Sequence, residues 1–119
     1  MGTGESVLWS FNWLLDVHRA ELSNSQQVNC GLLPGAGHGD DIWVRTERLH
    51  VIAEVTLSGL GSRWTDVVGP KRQIIVAKID KLRDRIGVTH KYLFVSESIA
   101  VSIQGRYDIG DVQVVAIPA

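Results

Sequence analysis

The stretch His50-Val51-Ile52-Ala53-Glu54-Val55-Thr56-Leu57-Ser58 carries one carboxylate in the middle of an apolar run. Period-two alternation places Glu54 and Thr56 on one face of a strand and the flanking valines on the other face. Because a carboxylate is costly to place in an apolar strand, Glu54 requires a partner, a cation or a wet surface. The sequence therefore identifies Glu54 as a candidate site residue.

A second acidic position precedes this strand, in Gly39-Asp40-Asp41-Ile42-Trp43-Val44. Residues 42–45 and 49–57 have the composition of two strands, and their short connection at residues 46–48 favours antiparallel pairing. In such a hairpin Asp41 approaches Glu54, and two carboxylates can hold Mg²⁺ together with water and phosphate oxygens. The sequence predicts a magnesium site at Asp41 and Glu54. Ordinary turn chemistry also explains Gly-Asp-Asp, and Asp40 is an alternative to Asp41.

A basic amphipathic helix is predicted after this hairpin. Gly69-Pro70 marks its start, and Gly87 can end it. Its apolar residues fall at i, i+4, i+7 and i+11, which places Ile75, Ile79, Leu82 and Ile86 on one stripe. Residues 63–91 hold eight basic and three acidic residues, although the whole chain has a net charge of −1. This helix beside an acidic site is compatible with nucleic-acid binding, and equally with a solvated helix face.

The other predicted elements follow from periodicity and turn chemistry. They are a first helix over residues 6–23, a loop over 24–39, a buried strand over 91–96, a strand in which Ile99, Val101 and Ile103 alternate with small polar residues, and a last strand over 112–117. The chain has 119 residues, 45% apolar and 21% charged, which suits one compact domain. We therefore predict a single α+β domain over residues 1–119, with a mixed β-sheet flanked by two amphipathic helices.

The order of these elements and the two acidic positions resemble the PD-(D/E)XK nuclease superfamily over roughly residues 6–96. By that resemblance Asp41 matches the first acidic position and Glu54 the second, and Glu5 or Glu21 matches the helix carboxylate of some members. Gln73 resembles a glutamine that some members carry on the following helix. The resemblance implies a Mg²⁺-dependent phosphodiesterase that acts on DNA.

The chain departs from the family pattern at Thr56, which stands where the family has lysine. A threonine hydroxyl cannot supply the positive charge that stabilises the reacting phosphate. Losing one preorganised donor costs on the order of 10²–10³ in rate. Lys71 and Lys78, on the adjacent helix, are the candidates to replace that lysine. Thr56, Lys71 and Lys78 are therefore the predicted catalytic positions.

Four further residues are candidates for substrate binding: His50, Arg63, Trp64 and Gln73. His50 shares the Glu54 face, where a neutral imidazole could act as a general base or a ligand. Trp64 could stack on a base or sugar, although burial is the commoner fate of tryptophan.

An alternative is a non-catalytic binding protein for a small molecule or a partner. The missing lysine favours it, and we expect such a small domain to form homo-oligomers, most simply dimers. A further alternative is an orphan protein of the kind that integron gene cassettes encode, which the compactness of the chain and the absence of a targeting signal suggest. The single cysteine, Cys30, allows no intrachain disulfide, so we expect a cytoplasmic protein. No apolar stretch approaches the ~20 residues that cross a bilayer, so no membrane partner is expected.

Overall fold

The computed structural model describes residues 2–32 and 39–118 of the chain. Within these residues a five-stranded sheet is combined with four α-helices and one 3₁₀ turn. The elements are α1 (Thr3–Val17), α2 (Arg19–Ser23), β1 (Asn29–Leu32), β2 (Ile42–Arg45), β3 (His50–Val55), the 3₁₀ turn (Trp64–Asp66), α3 (Gly69–Arg83), β4 (His90–Ser96), α4 (Glu97–Ile103) and β5 (Gln113–Ile117). The predicted α+β class with a mixed sheet is confirmed.

The strands lie in the order β1-β2-β3-β4-β5. The first three strands are antiparallel, and β3, β4 and β5 are parallel to one another. The predicted hairpin is present, because Ile42 pairs with Ala53 and Arg45 with His50. Parallel strands need a crossover connection, and α3 supplies it between β3 and β4. The sheet is therefore half meander and half parallel, with β3 at its centre.

The two faces of the sheet carry separate helices. The valines of β3 face α1, where Val51 and Val55 share a core with Leu14. Ile52 faces α3 and packs in a second core with Ile75 and other apolar residues of that helix. The alternation predicted for β3 is thus confirmed, and it directs the side chain of Glu54 towards α3. No helix among the described residues is long and apolar enough to cross a bilayer.

Helix α4 replaces one predicted strand. We expected a strand through Ile99, Val101 and Ile103, but residues 97–103 are helical. Ile99 and Ile103 are fully buried, whereas Val101 is 73% exposed. Residues four apart share a helix face, so the same two isoleucines also satisfy the helical period. Burial against the 3₁₀ turn, β4 and β5 selects the helix.

Three other boundaries differ from the prediction. The first helix is interrupted at His18, whose ring bonds to Tyr92 in the core. Residues 29–32, predicted as loop, form the edge strand β1 on β2, and residues 33–38 of that predicted loop lie outside the described part. Helix α3 ends at Arg83, so Ile86 lies beyond the apolar stripe and is 92% exposed.

Candidate functional site

Asp41 and Glu54 lie opposite each other at one end of the β2–β3 hairpin. Asp41 directly precedes β2, and the register that pairs Ile42 with Ala53 places it beside Glu54. The backbone N–H of Asp41 donates to Glu54 Oε2 at 2.7 Å, and the N–H of Val55 donates to Asp41 Oδ2 at 2.9 Å. Both carboxylates are buried. The structure therefore brings together the two acids that the sequence singled out.

Helix α3 places two ammonium groups on these carboxylates. Lys78 Nζ lies 2.8 Å from Asp41 Oδ2 and 3.5 Å from Glu54 Oε1. Lys81 Nζ lies 3.2 Å from Glu54 Oε1 and donates to the carbonyl of Gly39 at 2.6 Å. Positions 78 and 81 flank the buried stripe of α3, so their long side chains reach along the helix to the end of the hairpin. Each buried carboxylate thus has a cationic partner.

A third ion pair extends this cluster. Arg85, just beyond α3, places Nη1 2.7 Å from both carboxylate oxygens of Asp40. The acidic stretch before β2 and the basic end of α3 are therefore joined at Asp40, Asp41 and Glu54. Burying charges is tolerated only when they are paired and hydrogen-bonded, and this cluster meets that condition.

Asp41 and Glu54 would supply only part of the coordination shell of a Mg²⁺ ion. Mg²⁺ is commonly held by one or two carboxylates, with water and substrate phosphate completing the octahedron. No group of three or more His, Cys, Asp or Glu side chains within residues 2–32 and 39–118 could hold a metal ion. None of the hydrogen bonds within that same range goes to Asp41 Oδ1. Asp41 and Glu54 are thus suitable hard-oxygen ligands that depend on water or substrate for the remaining positions.

The predicted catalytic residues lie in different places. Lys78 contacts both carboxylates, whereas Lys71 is exposed near the start of α3. Thr56 is buried, and its Oγ1 accepts the N–H of Ser58 at 3.1 Å, so the hydroxyl closes the turn after β3. Of the three candidates, Lys78 alone is placed against the acids by the described contacts.

The predicted substrate-binding residues are dispersed. His50 begins β3 and is separated from Glu54 by about 13 Å of extended strand. Trp64 is 1% exposed, with the guanidinium of Arg72 3.9 Å above its ring, so it has no free face for a base. Gln73 is exposed on α3, and Arg63 lines a groove beside α4.

The candidate helix carboxylates lie apart from the pair. Glu21 Oε2 lies 3.2 Å from Nδ1 of the His18 ring. Glu5 is exposed in the first turn of α1. Helix α1 packs on the face of the sheet opposite α3. Neither residue contacts Asp41 or Glu54.

Sequence reasoning missed Lys81 and Arg85 as members of the cluster. Lys78, Lys81 and Arg85 are spaced i, i+3 and i+7, which is the spacing of one helical stripe. The spacing can be recognised in the sequence. Which acids face this stripe depends on how the hairpin packs against α3, and the sequence does not give that packing. The contacts between distant segments were therefore the missing information.

Comparisons with known proteins give no relative for this chain. No protein-family model matches it, and neither a curated protein nor a solved structure matches it at a significant level.

Proposed function

We propose that this chain is a nuclease-like, Mg²⁺-dependent phosphodiesterase acting on DNA, with its site at Asp41, Glu54 and Lys78. The observation that carries this proposal is the position of Lys78 Nζ, 2.8 Å from Asp41 and 3.5 Å from Glu54. Two acids and a lysine thereby meet at one point from three segments of the chain. Lys78 on α3 is the proposed replacement for the lysine absent at Thr56.

Asp41 and Glu54 are the residues that would hold Mg²⁺, and the ion when bound would stabilise negative charge on a phosphodiester and lower the pKa of a bound water. Hydrogen bonds from the Asp41 and Val55 backbones orient both carboxylates before any ligand arrives. Such preorganisation is what makes charge stabilisation effective in a site shielded from water.

Lys78 is the residue proposed to stabilise charge on the reacting phosphate. Its side chain is 20% exposed, so it borders both the buried acids and solvent, where a DNA phosphate would approach. Lys81 is proposed as a positioning residue, because it joins Glu54 to the carbonyl of Gly39 and so fixes the segment that carries Asp41.

Cleavage of supercoiled plasmid DNA in Mg²⁺ or Mn²⁺ tests this proposal, alongside calorimetric titration of each metal. We expect chelator to abolish cleavage, Glu54→Gln to weaken metal binding, and Lys78→Met to lower the rate by roughly 10²–10³. Lys71→Met is the matched control, since it removes an exposed lysine from the same helix. Circular dichroism establishes that each variant is folded. Absence of both metal binding and cleavage in the wild type would refute the proposal.

A second candidate is a non-catalytic binding protein in which the same cluster is a structural clamp. The pairing of Asp40, Asp41 and Glu54 with three cations favours it, because charges already neutralised need no metal. Strand β5, Gln113–Ile117, lies at the edge of the sheet and carries no charge, which suits strand pairing with a second copy. If this candidate is correct, the protein sediments as a dimer and calorimetry detects no metal binding. Substitution of the paired acids or cations of the cluster then unfolds the protein.

A further inference from the structure

A small cleft lies at the carboxyl ends of the parallel strands. Its walls come from the segment after β3, the junction of β4 with α4, and the end of β5. The cleft has a volume of about 250 Å³, and its apolar walls are formed by Leu57, Leu60, Ile117 and Pro118. In open sheets with parallel strands, ligands bind outside the carboxyl ends of those strands.

Ser96 lines this cleft, and its hydroxyl is buried beneath the cleft surface without a partner. Ser96 is 3% exposed, and its Oγ is the one buried side-chain nitrogen or oxygen without a hydrogen bond in the part of the chain that the structure describes. Ser96 occupies the N-cap position of α4, yet its side chain makes no capping bond. Buried polar groups are nearly always satisfied, so this hydroxyl calls for an explanation.

The cleft is separate from the acidic pair. Tyr92 and Phe94 face α1, so alternation along β4 places Ser96 on the α1 side of the sheet. Leu57 and Ile117 also belong to that side. Glu54 faces α3 on the other side, so a ligand in the cleft would not contact the carboxylates.

We propose that this cleft binds a small neutral molecule with an apolar body and one hydroxyl or carbonyl group, and that the unpaired hydroxyl of Ser96 turns into the cleft to pair with that group. The volume lies below the ~300–1,000 Å³ of sites for drug-sized ligands, so the ligand is smaller. No lysine or arginine lines the cleft among the described residues, and the carboxylate of Glu97 at its rim disfavours anions. The proposal is independent of the phosphodiesterase activity.

Benzyl alcohol and toluene form a matched pair of probes, because they differ by one hydroxyl. Titration of each into the ¹⁵N-labelled chain, followed by NMR, is expected to shift the amide signals of Gly61, Ser96 and Ile117. Benzyl alcohol is expected to bind roughly three- to tenfold more tightly than toluene, as one additional hydrogen bond provides.

Ser96→Ala is expected to remove that preference while leaving the protein as stable as the wild type or more so, because it deletes an unpaired buried hydroxyl. Ser23→Ala, exposed on α2 and outside the cleft, is the control and keeps the preference. Leu60→Trp replaces a 64% exposed side chain with one that fills the cleft, and it is expected to block both probes. Absence of saturable shifts in the wild type, or a preference that survives Ser96→Ala, would overturn the proposal.

Discussion

The backbone N–H of Asp41 donates to the carboxylate of Glu54 at 2.7 Å, so the backbone of one acid holds the side chain of the other in place. The N–H of Val55 returns the contact by donating to Asp41 Oδ2. At this end of the hairpin the backbone hydrogen bonds between β2 and β3 end, and these two bonds to carboxylates continue the pairing. The carboxylates consequently have a structural role whether or not they bind a metal.

Lys78→Met is expected to destabilise the protein by about 3 kcal/mol, because it leaves the buried carboxylate of Asp41 without its cation. Adding Asp41→Asn should recover part of that loss, since the uncompensated charge is then gone. Urea unfolding of the wild type, both single variants and the double variant gives the coupling free energy. Lys71→Met is the control and should stay within about 0.5 kcal/mol of wild type. Strictly additive losses would show that the ion pair is not coupled in solution.

Ile99→Ala and Val101→Ala distinguish the helix from the strand that periodicity alone predicted. In α4, Ile99 is fully buried and Val101 is 73% exposed. We expect Ile99→Ala to cost about 3 kcal/mol of unfolding free energy and Val101→Ala less than about 0.5 kcal/mol. Chemical denaturation monitored by tryptophan fluorescence measures both. Equal costs would instead fit a strand in which the two side chains share a face.

The sequence was sufficient for features determined by local pattern, such as the β3 alternation and the apolar stripe of α3. It failed where two periods fitted the same residues, as at Ile99 and Ile103, which satisfy both a strand and a helix turn. It also failed at β1, where Asn29-Cys30-Gly31-Leu32 has little strand propensity and pairs only because β2 offers an edge. For the site, the acids were identifiable because charge in an apolar strand is costly. The partners Lys81 and Arg85 were not, because they depend on how a distant helix docks.

Gly31→Ala is expected to destabilise the protein by roughly 1–3 kcal/mol, because a Cβ there would overlap the indole nitrogen of Trp43. The half-buried indole would have to move off β1, which would weaken the edge pairing with β2. The shift in tryptophan emission and the change in melting temperature report this directly. Gly4→Ala, in the first turn of α1 with open space around it, is the control and should raise stability by up to about 1 kcal/mol. A neutral Gly31→Ala would mean that the indole does not cover β1.

The free energy of unfolding is expected to fall as the pH drops below about 6.5, because His90 takes up a proton more readily in the unfolded chain than in the folded one. Burial, with a smaller contribution from the neighbouring His18, lowers the pKa of His90 below its ordinary value of 6.5. The unfolded chain therefore binds the proton more readily than the folded one, and the stability present above pH 6.5 is lost as the pH falls through the lowered pKa. Glu21 acts in the opposite direction, and Tyr92 and Thr89 are the other polar neighbours of this ring. Melting temperatures measured from pH 7.5 to 5.0 should decline in the wild type and decline less in His90→Asn. An identical decline in that variant would assign the dependence to another group.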